Sequence, residues 1–209
     1  NIISNLAIER KIWEKDLLCV GVDEVGRGPM EGPFVMCGCV YDASIIIPKN
    51  VEVDDSKKLS PAKRQQADTW IRDNALSWTI LSASVETIDK HGIQKVTERL
   101  FATILTSLFD KTNKRFGVAA DQMKITVPDV EYVQDCQFII KGDSTCFSIA
   151  SASILAKQAR DEYMKKLALT HPEYLWEKNM GYGTKDHVMA IKKYGTTKHH
   201  PKLWVRRYI

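Results

Sequence analysis

Three apolar runs in this chain stop abruptly on carboxylates. Leu17 to Val25 reads LLCVGVDEV and delivers Asp23 and Glu24; Phe116 to Ala120 ends on Asp121; Gln137 to Ile140 leads through Lys141 and Gly142 to Asp143. Each run has the length and apolar character of a short buried strand. Phe34 to Tyr41 and Trp78 to Val85 read as further strands, and Gly38 permits a bulge or a close backbone approach. Helical signals lie between them. Ser60-Pro61, an N-cap followed by proline, opens a helix to about Ala75. Ile93, Val96, Leu100, Ile104 and Leu108 recur at helical spacing and predict a helix over about 93–113. An Ala-rich helix is expected from Phe147 to Leu169, and a last one from His187 to Tyr194. Early strands, then helices alternating with short strands, define a mixed-sheet α/β domain.

The carboxyl ends of strands are where α/β sheets place their ligands. Acids gathered there cannot sit unpaired in low dielectric, and their hard oxygens suit Mg2+ or Mn2+. Two such ions about 4 Å apart activate a water and stabilise a leaving oxygen in phosphoryl transfer. Taken singly, each acid is as well explained as a turn residue or helix cap; four together favour a cation site. Asp23 and Glu24, as neighbours, point to opposite faces of a regular strand. They share a site only where the strand ends or bulges, and the glycines that follow allow this.

Gly26-Arg27-Gly28 would let a backbone approach a ligand while Arg27 offers a forked donor, though it matches neither a P-loop nor a dinucleotide fingerprint. Asp55-Ser56-Lys57-Lys58 brings hydroxyl and ammonium groups to a loop, or simply solvates a helix entry. Small residues in Ser148–Ala156 predict a helix packed closely on the sheet. Lys157, Arg160 and Tyr163 follow at i, i+3 and i+6, a face that would meet a nucleic-acid backbone or snorkel as a basic edge. His187, His199 and His200 lack an acid or thiol at ligand spacing and are expected at phosphate or on plain surface. No G-x-S-x-G elbow is present.

Composition narrows the classes. No apolar run approaches the roughly 20 residues of a membrane helix, and Asn1 to Asp16 has no signal-peptide core. Five cysteines (Cys19, Cys37, Cys39, Cys136, Cys146) without a C-x-x-C pair argue for free, buried thiols in a reducing, cytoplasmic setting. Residues 157–209 hold 12 Lys and Arg against 5 Asp and Glu, whereas 1–156 hold 18 against 21. A basic flank on a mildly acidic body suits a polyanion bound beside a carboxylate site.

The segments GVDEVGRGPMEGP (21–33), DSKKLS (55–60), KGDSTCFSIASASILAKQARDEYM (141–164) and GYGTKDH (181–187), with the lead-in ERKIWEKD (9–16), resemble the ribonuclease HII family, the type 2 ribonucleases H. The resemblance runs in order along about the whole chain. It implies a single RNase H-like domain over 1–209: a mixed five-stranded sheet flanked by helices, with a basic helical C-terminal part from about 170 that contributes to substrate binding. It implies endonucleolytic cleavage of RNA in RNA–DNA hybrids, and on the 5′ side of ribonucleotides in duplex DNA. The products carry 3′-OH and 5′-phosphate ends, with two Mg2+ or Mn2+ ions as cofactors. The motif match assigns Asp23, Glu24 and Asp143 as catalytic, metal-binding carboxylates. The remaining carboxylate falls on Asp121, which is followed by Gln122 where the family usually has glycine; Asp129 and Asp135 are the alternatives. Gly26, Arg27 and Gly28 match the loop that senses the 2′-OH, its arginine separating the chain from the related HIII type. The family's substrate-facing tyrosine falls on Tyr163; the reading of the residues themselves adds Ser56, Lys57, Lys157 and Arg160 as further expected substrate contacts. Thr196 to Ile209 departs from the family pattern. No obligate protein partner is expected, and the chain is expected to be a monomer. The competing readings are a DNA junction nuclease on the same scaffold, a silent hybrid-binding module, and a small-molecule phosphate binder.

Overall fold

In the computed structural model, which describes residues 5–206, five strands form one sheet: β1 (Leu18–Val25), β2 (Phe34–Tyr41), β3 (Ser77–Ala83), β4 (Phe116–Asp121) and β5 (Val133–Ile139). Their spatial order is β3-β2-β1-β4-β5. The β1–β2 and β2–β3 pairs are antiparallel, whereas β1–β4 and β4–β5 are parallel. The mixed sheet expected from the sequence is therefore present, and β1, β4 and β5 all end at the same side of it.

Alternation along β2 divides the core. Phe34, Met36 and Val40 face α4 (Ile93–Thr112), where Phe101, Ile104, Leu105 and Leu108 are buried. Val35, Cys37, Cys39 and Tyr41 face α2 (Pro61–Asn74) and α6 (Phe147–Ala168). Ser60 caps α2 through a hydrogen bond from Lys63 N–H, with Pro61 in the first turn. Gly38 keeps its ladder register, so it makes no bulge. A Cβ there would lie 2.4 Å from Ile104 Cγ2, so the glycine serves the close approach of α4. Gly21 does the same on the other face, under Ser148 of α6.

Among the described residues, the helices α1 (Ala7–Trp13) and α3 (Val85–His91) were not legible in the pattern, nor were three single-turn helices introduced below. The strand expected over 137–140 also needs correction. β5 begins at Val133, lies at the sheet edge, and is half-buried to exposed, with Phe138 37% and Ile140 68% exposed. Beyond α5 (Gly142–Thr145) and α6, a 3-10 turn (Pro172–Tyr174), α7 (Trp176–Asn179), α8 (Lys185–Tyr194) and α9 (Lys202–Val205) form the C-terminal helical part. Thr184 caps α8, which therefore starts before His187. The last three residues of the expected Thr196–Ile209 segment lie outside the described residues. The five cysteines are free, four buried and Cys136 half-buried. Among the described residues, no helix is long and apolar enough to cross a membrane.

Candidate active site

Parallel pairing puts Val22 beside Ala120, so the next residues, Asp23 and Asp121, end adjacent strands side by side. Asp121 Oδ1 accepts the Gly142 N–H at 2.8 Å, which draws the turn after β5 against β4 and carries Asp143 with it. Lys141, at φ +56°, makes that turn. β1 stays regular through Val25, so Asp23 and Glu24 do leave on opposite faces. Both still line one cleft of about 200 Å³, because it wraps the strand end; Asp121 and Asp143 line it too. Asp129 and Asp135 do not; Asp135 is paired with Lys15 at 3.1 Å.

The four acids press on one another. Burial raises Asp23 well above the usual carboxylate range, with Glu24 and Asp121 adding to the effect. Glu24 is raised by burial and by Asp121 against the opposing charge of Arg27, whose Nε is 3.4 Å from Glu24 Oε1. Asp143 is raised by burial, then by Asp55 and Asp121, while Lys57 and Lys58 oppose. Glu24 Oε2 is buried with no hydrogen-bond partner. An orphaned carboxylate oxygen amid mutually repelling acids is the environment a divalent cation relieves. Among the described residues, no group of three or more His, Cys, Asp or Glu is arranged to hold an ion by itself. Mg2+ is ordinarily held by one or two carboxylates plus waters and substrate phosphates, not by a protein cage. The donor set fits such an ion.

Gly26, Arg27, Gly28, Ser56, Lys57 and Lys157 share the cleft wall with the acids. Gly26 has φ +102° and a Cβ there would meet Pro33 O at 2.5 Å, whereas a Cβ on Gly28 meets nothing within 4 Å. Arg27 reaches Thr97 Oγ1 of α4 at 3.2 Å as well as Glu24. Ser56 is buried, its hydroxyl 3.0 Å from Ser153 Oγ, and the Ser153 hydroxyl bonds Asp23. Lys157 is paired with the buried Asp161.

Two expected contacts lie elsewhere. Arg160 is fully buried, and its guanidinium donates to three main-chain carbonyls: Pro33 O (3.1 Å), Glu31 O (2.6 Å) and Met180 O (2.8 Å). It ties the segment after the glycine loop to the C-terminal part and has no donor aimed at solvent phosphate. Arg160→Met is expected to lower unfolding free energy by about 3 kcal/mol or more, since buried carbonyls lose their donors. Urea denaturation measures this; a phosphate-contacting arginine would leave stability unchanged. Tyr163 is exposed and lines a separate groove of about 1010 Å³ between α3 and residues 196–206. The aromatic ring in the carboxylate cleft is Tyr182. His187 and His200 are buried, not at the surface, because they bond each other and Trp176.

Sequence reasoning passed over Ser153 and Tyr182. Ser153 stands one helical turn before Lys157, a spacing that puts both on the cleft face. Tyr182 follows Gly181, whose φ of +81° presses that turn onto Glu31 O.

Acids at the ends of three neighbouring strands in a mixed five-stranded sheet, beside a glycine loop and lysines, define a metal-dependent nuclease of the ribonuclease H class. The family model for ribonuclease HII matches residues 20–208. The ribonuclease HII of Lactobacillus helveticus is 38% identical over 202 residues, covering 97% of this chain and 76% of that protein. The ribonuclease H2 crystal structure from Pyrococcus horikoshii superposes with a TM-score of 0.76 at 25% identity, covering 92% of this chain and 97% of that one. A Bst-RNase HIII structure in complex with Mn2+ shares the fold, with a TM-score of 0.68 at 18% identity over 86% of this chain and 63% of that one. This chain belongs to the ribonuclease HII family, the type 2 ribonucleases H, and is a metal-dependent endoribonuclease.

Proposed function

We propose that this chain cleaves the RNA strand of RNA–DNA hybrids and cuts on the 5′ side of single ribonucleotides embedded in duplex DNA, leaving 3′-OH and 5′-phosphate ends. The observation that carries this reading is the shared wall: the Gly26-Arg27-Gly28 loop and the four acids line the same cleft. RNA differs from DNA by a 2′-OH that both donates and accepts hydrogen bonds. Main-chain groups of a glycine loop are able to read it, at a fixed distance from the scissile phosphate.

Asp23, Glu24, Asp121 and Asp143 would hold two divalent ions, Mg2+ or Mn2+, which supply an activated water and charge relief at the leaving oxygen. The Ser153 hydroxyl, braced by Ser56, orients Asp23. Lys57 and Lys157 meet phosphates without reading sequence. Tyr182, rather than Tyr163, presents its ring to the sugar or base beside the cut. The basic C-terminal part from about 170 adds backbone attraction that weakens with salt.

A denaturing gel of end-labelled duplexes tests the reading, with Mg2+, Mn2+ or EDTA. The expected result is one metal-dependent cut 5′ to a lone ribonucleotide and an untouched all-DNA control. Cleavage of the all-DNA duplex would favour the junction-nuclease alternative. Tight binding without a cut would favour a silent hybrid-binding module.

A further inference from the structure

Behind the cleft, Glu31 is fully buried, and neither carboxylate oxygen finds a hydrogen-bond donor. Its Oε2 lies 3.0 Å from Nδ1 of His200. Such a contact is attractive only if a proton sits on one of the two atoms. The Thr197 main-chain N–H already points at the same Nδ1, at 2.9 Å. The Thr197 hydroxyl also lies 3.0 Å from Nδ1; with the N–H and the Glu31 carboxyl sharing its one lone pair, Nδ1 serves as an acceptor and the proton belongs to Glu31. His200 then carries its hydrogen on Nε2, 3.2 Å from His187 Nε2. His187 Nε2 also accepts from Trp176 Nε1–H at 3.1 Å, so it is bare. Its Nδ1–H donates to Tyr182 O at 2.9 Å, since a carbonyl only accepts. With these assignments every member of the chain is neutral.

We propose that Glu31 is a positioning residue: a neutral, proton-donating carboxyl that anchors a buried chain, Glu31–His200–His187, whose far end holds the main chain at Tyr182 on the wall of the cleft. Two ladder-like bonds run beside it, Met30 N–H to Gly181 O at 2.8 Å and Gly32 N–H to His199 O at 3.3 Å. The chain therefore connects the segment following the glycine loop to the C-terminal part.

The charged surroundings agree. Burial pushes Glu31 up to about 9, against His171, Arg160 and the nearby Gly32 main-chain N–H. Burial brings His200 down to about 4 against a hydrogen bond to the Thr197 main chain, with His171 adding to the fall, and lowers His187 against its bond to the Tyr182 main chain, with His200 adding. His199, near Lys198, His171 and His200, is lowered as well. A carboxyl raised on folding contributes stability that is full below its unfolded value and is lost as pH rises toward the folded one. Glutamine, which mimics the neutral acid, has no such slope.

The role in cleavage rests on the function proposed above; the protonation state does not. Nitrogen-15 NMR of the histidine side chains in the wild-type chain reads the tautomers directly. The expected result at neutral pH is a neutral His200 with a bare Nδ1. An imidazolium, or a proton on Nδ1, overturns the proposal. Thermal midpoints of Glu31→Gln and wild type, compared between about pH 5 and 9, should diverge in favour of glutamine as pH rises. A glutamine variant that is the less stable one at neutral pH would indicate an ion pair and overturn it. In hybrid cleavage, Glu31→Gln should stay within about twofold of wild type, while Glu31→Ala loses about tenfold in kcat/KM. Equal damage by both substitutions, or none by alanine, overturns it. NMR and midpoints need no substrate, so failure of the cleavage reading leaves them to decide.

Discussion

Asp23→Asn is expected to eliminate hybrid cleavage, by more than about a thousandfold, because a carboxylate charge proposed to hold the cations would be gone. Hybrid affinity is expected to stay near wild type, since phosphate attraction comes from lysines and the basic flank. The substitution is close to isosteric. In metal-free buffer it removes a buried charge that Glu24 and Asp121 repel, so the thermal midpoint should rise. Single-turnover cleavage, equilibrium binding and a melting curve in EDTA check the three parts together. A midpoint that falls along with both activities would mean that Asp23 is a fold-bearing residue rather than a cation ligand.

Gly21→Ala is expected to produce a large loss of stability, about 3 kcal/mol or more. An added Cβ would stand 2.0 Å from the Ser148 carbonyl carbon, 2.1 Å from its oxygen and 2.6 Å from Ile149 N. These are main-chain atoms of α6, so no rotamer change relieves the clash. The helix would have to lift from β1 and would carry Ser153 and Lys157 out of the cleft wall. Gly28→Ala is the control, with open space at its Cβ and an expected change near zero. Urea unfolding of the pair decides whether the close crossing of helix and sheet is the constraint.

The strand-end acids were legible because an apolar run that stops on aspartate is a local signal, and parallel register then brings neighbouring strand ends together. Asp121 was chosen over Asp129 and Asp135 on the same signal, as the acid in that interval that ends an apolar strand, and in the structure it accepts the Gly142 N–H beside the other acids. Arg160 misled because spacing alone was used. Residues three apart on a helix drift by about 60° each step, so six positions cover a third of its circumference. Lys157 thus faces the cleft, Arg160 the interior and Tyr163 another groove. The first part of β5 escaped because Val133, Gln134 and Asp135 carry no apolar run; its place at the edge exempts it from being buried on both faces. The buried histidines escaped for a different reason: Glu31, His187 and His200 are distant in sequence, and nothing local pairs them.

Arg160 grips its neighbours through carbonyl oxygens, which every amino acid supplies alike. Positions 31, 33 and 180 are therefore free, as far as that clamp is concerned, to change their side chains over evolutionary time. Arg160 itself has no substitute with three forked donors. The joint between the glycine loop and the C-terminal helices would stay mechanically the same while the side chains at those positions change. The side chains of Glu31 and His200 are then carried on that frame without being part of its grip.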